Sequence, residues 1–354
     1  MTRHGAAITV VFVMLLGLIG VIAWVPVQWV DVAPGPTVNV LGKFGSSPII
    51  NVSGHKTYPT DGQLRMVTVT VTSPDRQIRL PEALMAWFDG TQGVYPRDVY
   101  YPKNVSAQDA EQQSSVEMVS SQDTAVAAAL TRLGYKLPLR TEVLAATAGG
   151  PSQGILKPHD IIVAVNGMRI TDVNQVRGAI SKTGVGRPAR FTLQRGGKIV
   201  HRSVTAIASP DDPKTALVGI QIGDGYDFPF QVDIRLPDQI GGPSAGLMFS
   251  LAIYDTLTPG RLADGKVIAG TGTISQNGRV GPIGGIQQKI VGASQAGAKI
   301  FFVPPANCAE ASGADVAPGA IRLVRAPTLA SAIASVKTWT TDPSAPLPTC
   351  AGQS

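Results

Sequence analysis

The sequence predicts an α+β protein that carries one long apolar helix at its N-terminal end. Three observations lead there. Residues Ala6 to Val25 run without a charge, behind a basic start at Arg3. Arg65-Met-Val-Thr-Val-Thr-Val-Thr72 alternates valine with threonine, the period of a half-buried strand. The C-terminal half mixes two apolar stripes of helical spacing (Leu247, Met248, Leu251, Ala252; and Ile286, Ile290, Ala293, Gly297) with short β-like runs at 266–270 and 299–303. At 354 residues there is room for two or three domains.

Taken in order, the first run is long enough to cross a hydrocarbon core, which needs about 20 residues. Trp24 and Trp29 stand at its far end, where interfacial aromatics belong. A cleaved signal peptide is the alternative, but Val21-Ile-Ala23 is a weak cleavage site and falls inside the run. The expectation is an uncleaved anchor over 1–28, with Arg3 cytoplasmic and the rest of the chain outside. Ala33-Pro-Gly-Pro-Thr37 breaks regular structure, and residues 31–115 form a β-rich region with a short helix opening at Leu80-Pro81. From Ser106 a long helix runs to Leu133, closed by Gly134. The net charge of +6 is spread along the chain with no basic run interleaved with aromatics, which argues against a nucleic-acid partner.

Gly154-Ile-Leu-Lys-Pro-His-Asp-Ile-Ile-Val-Ala-Val-Asn-Gly167, followed by a helix at 173–180 and a strand at 189–195, resembles a PDZ domain of the bacterial protease type, through Leu156, Asp160, Ile162, Asn166 and Gly167. That places a PDZ domain with its preceding helix at 116–208. The resemblance implies a groove that takes extended peptides, although the usual Gly-Leu-Gly-Phe carboxylate loop is not found. His159 reads as a surface loop residue. Ser209-Pro-Asp-Asp-Pro213 is a linker, and 216–222 and 230–235 read as strands leading to the next unit.

That unit centres on Gln239-Ile-Gly-Gly-Pro-Ser-Ala-Gly246. A Gly-Gly-Pro turn puts Ser244 at the mouth of an apolar helix, beside backbone N–H groups and the positive end of the helix dipole. A plain N-cap is one reading. The G-x-S-x-G elbow of α/β-hydrolases is another, but it needs a histidine after the serine. His4, His55, His159 and His201 all precede Ser244. A desolvated lysine is the next candidate base. Of Lys266, Lys289, Lys299 and Lys337, only Lys289 borders an apolar helical stripe.

Gly242-Pro-Ser-Ala-Gly246, Thr271-Gly-Thr-Ile-Ser-Gln-Asn-Gly-Arg-Val-Gly-Pro-Ile-Gly-Gly285, Lys289 and Ala296-Gly-Ala298 together resemble the proteolytic domain of the Lon serine peptidases, over about residues 215–340. The resemblance implies a Ser244–Lys289 dyad supported by Thr271. The chain reads Gly272-Thr-Ile-Ser275 where the family has Gly-Glu-Ile-Thr. No Walker A loop is found. The order anchor, PDZ domain, peptidase therefore resembles the membrane-anchored PDZ–Lon peptidases of bacteria. What this implies is a serine endopeptidase that needs neither ATP nor another cofactor nor a metal. Its substrates would be unfolded or tagged proteins outside the membrane, and Lon rings would suggest a hexamer. The alternative is a PDZ scaffold with an inactive peptidase fold. Residues 341–354 read as a flexible tail, with Cys350 and Cys308 expected to form a disulfide in an oxidising compartment.

Overall fold

The computed structural model describes residues 3–101, 105–210, 212–237 and 240–350. Gln239 and the last four residues of the expected tail lie outside the described residues.

Helix α1 (Arg3–Trp24) is followed by strands β1 (Trp29–Asn39), β2 (Ile50–Ser53) and β3 (Gln63–Val71), helix α2 (Leu80–Phe88), strand β4 (Gly93–Pro96) and the short helix α3 (Arg97–Tyr100). Helix α4 (Ala107–Arg132) starts at a capping box: Ser106 Oγ accepts from the Asp109 N–H, and the Asp109 carboxylate accepts from the Ser106 N–H. Then come β5 (Leu139–Ala146), β6 (Asp160–Val165), α5 (Val173–Thr183), β7 (Pro188–Arg195), β8 (Lys198–Thr205), β9 (Ile220–Tyr226) and β10 (Gln231–Ile234). The C-terminal part holds α6 (Gly246–Leu257), β11 (Val267–Gly270), β12 (Thr273–Ile274), β13 (Val280–Gly281), α7 (Ile286–Gln295), β14 (Ile300–Val303), α8 (Cys308–Ala311), β15 (Arg322–Arg325) and α9 (Leu329–Thr341). The chain is thus α+β, with an N-terminal helix long and apolar enough to cross a membrane.

The first, mixed sheet has the order β15-β14-β11-β3-β1-β4. Strands β15, β14, β11 and β3 run parallel, and β1 pairs antiparallel with both β3 and β4. Strand residues alternate between faces. Leu64, Met66, Ile268, Ile300 and Phe302 pack with α4, α6 and α9. Val67, Ala269, Phe301 and Val303 pack with α7 and α8 on the other face. Each fully buried Phe here contributes about 1.5–3 kcal/mol by leaving water. The segment expected as a separate β-rich region over 31–115 therefore supplies half the strands of this sheet, and β2 pairs with β10. Pairing across two hundred residues leaves no periodic mark in either segment.

The second sheet has the order β8-β7-β6-β5-β9 around a core of Leu156, Ile162, Val165, Val176, Phe191 and Leu193. Its edge strand β9, expected to lead into the peptidase, pairs antiparallel with β5 instead. Alternation in 216–222 shows a strand but not which sheet takes it. Residues 342–350 return along the body: the Arg325 N–H donates to the Pro348 carbonyl, Leu347 is buried, and Cys350 is bonded to Cys308.

Candidate active site

The chain turns into α6 at Gly242, whose φ of +83° is open to glycine. Ser244 stands one residue before Ala245, the N-cap of α6, and its side chain makes no capping bond. The plain N-cap reading is thus excluded. The Ser244 hydroxyl makes no hydrogen bond among the described residues, and neither do the N–H groups of Ser244, Ala245 and Gly246. Such N–H groups at a helix start can receive an oxyanion. At Gly246 close packing calls for glycine: a Cβ there would stand 2.8 Å from Ile274 Cγ2.

The backbone at Ser244 is fixed from two sides. Its carbonyl accepts from the Thr271 hydroxyl at 3.0 Å and from the Gly272 N–H at 2.9 Å, and the Leu247 N–H returns a bond to the Gly272 carbonyl. Thr271 is fully buried at the end of β11. On the opposite side, α4 grips the same turn. The Gly242 N–H donates to the Ser114 carbonyl at 3.0 Å, and the Ser121 hydroxyl donates to the Pro243 carbonyl at 3.1 Å. Further along, the Ser250 hydroxyl ties α6 to the Ala125 carbonyl of α4.

Lys289 lies one turn into α7 and is 4% exposed, flanked by the buried Ile286 and Ile290. Its ammonium has no ion pair or hydrogen bond among the described residues. Burial pushes its pKa down to about 8, with the Glu310 carboxylate acting in the opposite sense. Helices α6 and α7 lie on opposite faces of the sheet, yet both start at the carboxyl ends of its parallel strands. Ser244 adjoins the residues after β11, and the loop entering α7 is held by Asn307, just beyond β14. The Asn307 side chain accepts from the Ile283 N–H at 3.0 Å and donates to the Ile283 carbonyl at 2.8 Å. Thus Thr271 directly touches the Ser244 backbone, whereas no bond joins Lys289 to Ser244 or to Thr271.

Beside this turn a cleft of about 260 Å³ is lined by Val116, Ser120 and Ser121 of α4, Leu144 of β5, Pro243, and Ile274 of β12. It therefore lies where the PDZ sheet, α4 and the Ser244 turn meet.

One polar cluster escaped the sequence reading. His159, with φ of +66°, places Nδ1 3.1 Å from Asp123 Oδ1 of α4 and 3.1 Å from Glu142 Oε1 of β5. Burial pushes the Glu142 carboxyl up to about 8. For His159, burial acts downward, but its bonds to Asp123 and Glu142 outweigh that and raise it to about 10. The cluster joins the PDZ loop to the helix that grips the Ser244 turn. A buried-range glutamate in Arg140-Thr-Glu-Val-Leu144 was its only sequence signal.

A serine at a helix start and a buried lysine thus both lie near the carboxyl ends of the sheet's parallel strands. Residues 214–322 match the family model of the Lon protease (S16) C-terminal proteolytic domain, and residues 115–205 match that of a PDZ domain. The chain thus carries a PDZ domain followed by a Lon-type proteolytic domain. Lon protease 2 of Bacillus subtilis is 31% identical over 160 residues, which is 45% of this chain and 26% of that protein. The Lon protease of Metamycoplasma arthritidis is 41% identical over 87 residues, 23% of this chain and 10% of that protein. The chain therefore matches about a quarter or less of these relatives' length. A solved PDZ domain of an SdrC-like protein from Listeria innocua is 23% identical, with a TM-score of 0.22, over 23% of this chain and 92% of that one.

Proposed function

We propose that this protein is a serine endopeptidase with Ser244 as nucleophile and Lys289 as general base. The observation that carries the reading is the buried Lys289 amine, without an ion pair or hydrogen bond among the described residues, in the same proteolytic domain as a serine whose hydroxyl is unengaged at a helix start. In the reaction, neutral Lys289 Nζ takes the proton from Ser244 Oγ as the oxygen bonds to the scissile carbonyl carbon. The resulting oxyanion is received by N–H groups at the start of α6. The ammonium of Lys289 returns the proton to the departing amine, leaving an acyl-Ser244. Water, deprotonated by Lys289 in its turn, hydrolyses the ester and frees Ser244. Thr271 holds the Ser244 backbone and is a positioning residue.

The same proposal places α1 across a membrane with the remainder on the extracytoplasmic side, where cleavage proceeds without ATP. The PDZ domain presents extended segments of unfolded or tagged proteins to the cleft between it and the peptidase. The assembly is a homo-oligomer, with a hexamer as the form the Lon resemblance suggests. Ser244→Ala and Lys289→Ala should each lower cleavage of casein by roughly 10³-fold or more, and the double variant should be no worse than either single one. Full activity in either single variant would remove the dyad. No cleavage by the wild type, with peptides still bound, would favour the PDZ scaffold.

A further inference from the structure

Helix α2 is packed inside out for a protein surrounded by water. Its inward residues are small: Ala83 and Ala86 are buried. Its outward residues are large and apolar: Met85 is 74% exposed, Trp87 67% and Phe88 83%, with Leu84 beside them. Leu84, Met85 and Phe88 share one stripe by their i, i+1 and i+4 spacing, and Trp87 flanks it. Other exposed large apolar residues outside α1 stand singly, as Phe44 and Ile199 do, or as the one cross-strand pair Ile207 and Leu217, as is ordinary for a protein surface. A clustered patch needs a cover.

The position of α2 says what the cover is. The Leu80 N–H donates to the Val25 carbonyl at 3.2 Å, and the Val27 N–H donates to the Ile78 carbonyl at 2.9 Å. Pro26 and Arg79 form an antiparallel bridge, and the Arg79 guanidinium lies 4.0 Å over the Trp24 ring. The start of α2 is thereby fastened to the residues where α1 ends. Trp24, Val25 and, on α3, Val99 are exposed in the same part of the molecule. A tryptophan-bearing helix pinned to the end of a membrane-length helix stands at the depth where aromatic side chains partition into the lipid interface.

We infer that α2 is a second membrane element: it lies in the plane of the bilayer surface with Leu84, Met85, Trp87 and Phe88 inserted among the lipids of the leaflet into which α1 emerges. This rests on the reading of α1 as a membrane span. Two attachments at one end of the mixed sheet fix the tilt of the peptidase on the membrane, which a single helix followed by a free chain would leave open. Since β4 and β1 lie next to α2, that tilt reaches the sheet carrying the proposed active site directly.

The test uses the full chain in phosphatidylcholine nanodiscs, with a nitroxide attached to one introduced cysteine at a time. Cys308 and Cys350 are bonded to each other, so the added thiol is labelled alone. Labels at Met85→Cys and Phe88→Cys should show a ratio of oxygen to nickel-chelate accessibility several-fold above that of a label at Phe44→Cys. These positions are exposed, so the fold should tolerate the exchange, which circular dichroism checks. Leu16→Cys, in the middle of α1, separates the two readings. A hydrocarbon-like value there with water-like values at 85 and 88 overturns the inference and leaves the anchor standing. A water-like value at Leu16 overturns both. Exclusion of oxygen and nickel alike at 85 and 88, with dipolar broadening between labels, would assign the face to a second copy of the chain and also overturn the inference.

Discussion

Lys289 can serve as a base only in its neutral form, and its surroundings make that form accessible near neutrality. With a pKa lowered by burial to about 8, the neutral fraction grows as pH rises through that value. Activity should therefore rise along one limb near pH 8 and stay high above it, as a profile of kcat/KM against pH will show. A histidine base would place the limb near pH 6.5. Thr271 refines the account. The resemblance implied that Thr271 supports the dyad, which a hydroxyl bonded to the lysine amine would do directly, but the structure gives that hydroxyl's proton to the Ser244 carbonyl. Thr271→Val should therefore lower kcat through the mispositioned serine while leaving the limb near pH 8; a limb displaced to higher pH would restore the direct role. At this scale the place of Ser244 before a helix and of Lys289 beside an apolar stripe was legible, because a Gly-Gly-Pro turn and helical spacing are local marks. The partner of the threonine hydroxyl was not, since a short side chain can turn to any acceptor within reach. The same limit hid Asp123, Glu142 and His159, which are brought together by three different elements.

Helix α4 ties the parts together. It belongs in sequence to the PDZ match, packs its small residues from Ala125 to Ala129 against α6, and holds the Ser244 turn through Ser114 and Ser121. Ser121→Ala should cost about 1 kcal/mol of stability, read from urea unfolding, and should slow cleavage more than it weakens substrate binding. The His159 cluster should add a pH dependence to this joint. His159 keeps its proton in the folded protein up to about pH 10, so its stabilisation is full below about pH 6.5 and is lost as pH rises through the folded value. Glu142 acts in the same direction, because the folded state holds a proton that the unfolded chain releases in the ordinary carboxylate range. Lys289 has the opposite slope, its folded pKa being lowered. The informative quantity is therefore the difference between wild type and His159→Gln in urea midpoint, which should shrink between about pH 7 and pH 10. A constant difference would leave the cluster without an electrostatic role. The individual helices α2, α4 and α6 were legible from caps, prolines and apolar stripes. The partners of β1, β3 and β9 were not, since strand periodicity records a buried face and says nothing of the neighbour.

Across the whole molecule, one body is made from chain segments far apart, with the PDZ sheet inserted between them. Its last segment is tied down by the bond between Cys308 and Cys350, which closes a loop of 42 residues' separation. In the chain-entropy account such a loop is worth about 4 kcal/mol, so reduction should lower the unfolding midpoint markedly, and Cys350→Ser should do the same without reductant. The membrane-length helix and the two matched domains were legible because each depends on local sequence. The sharing of one sheet between the N-terminal segment and the peptidase was not. The central claim remains that Ser244 is a nucleophile activated by Lys289. The most direct measurement is mass-spectrometric mapping of a fluorophosphonate adduct on the full-length protein, compared with Lys289→Ala. The account predicts one adduct, on Ser244, formed faster as pH rises through about 8 and lost or slowed by orders of magnitude in the variant. An adduct on another serine, or labelling of Ser244 at an equal rate without Lys289, would contradict it.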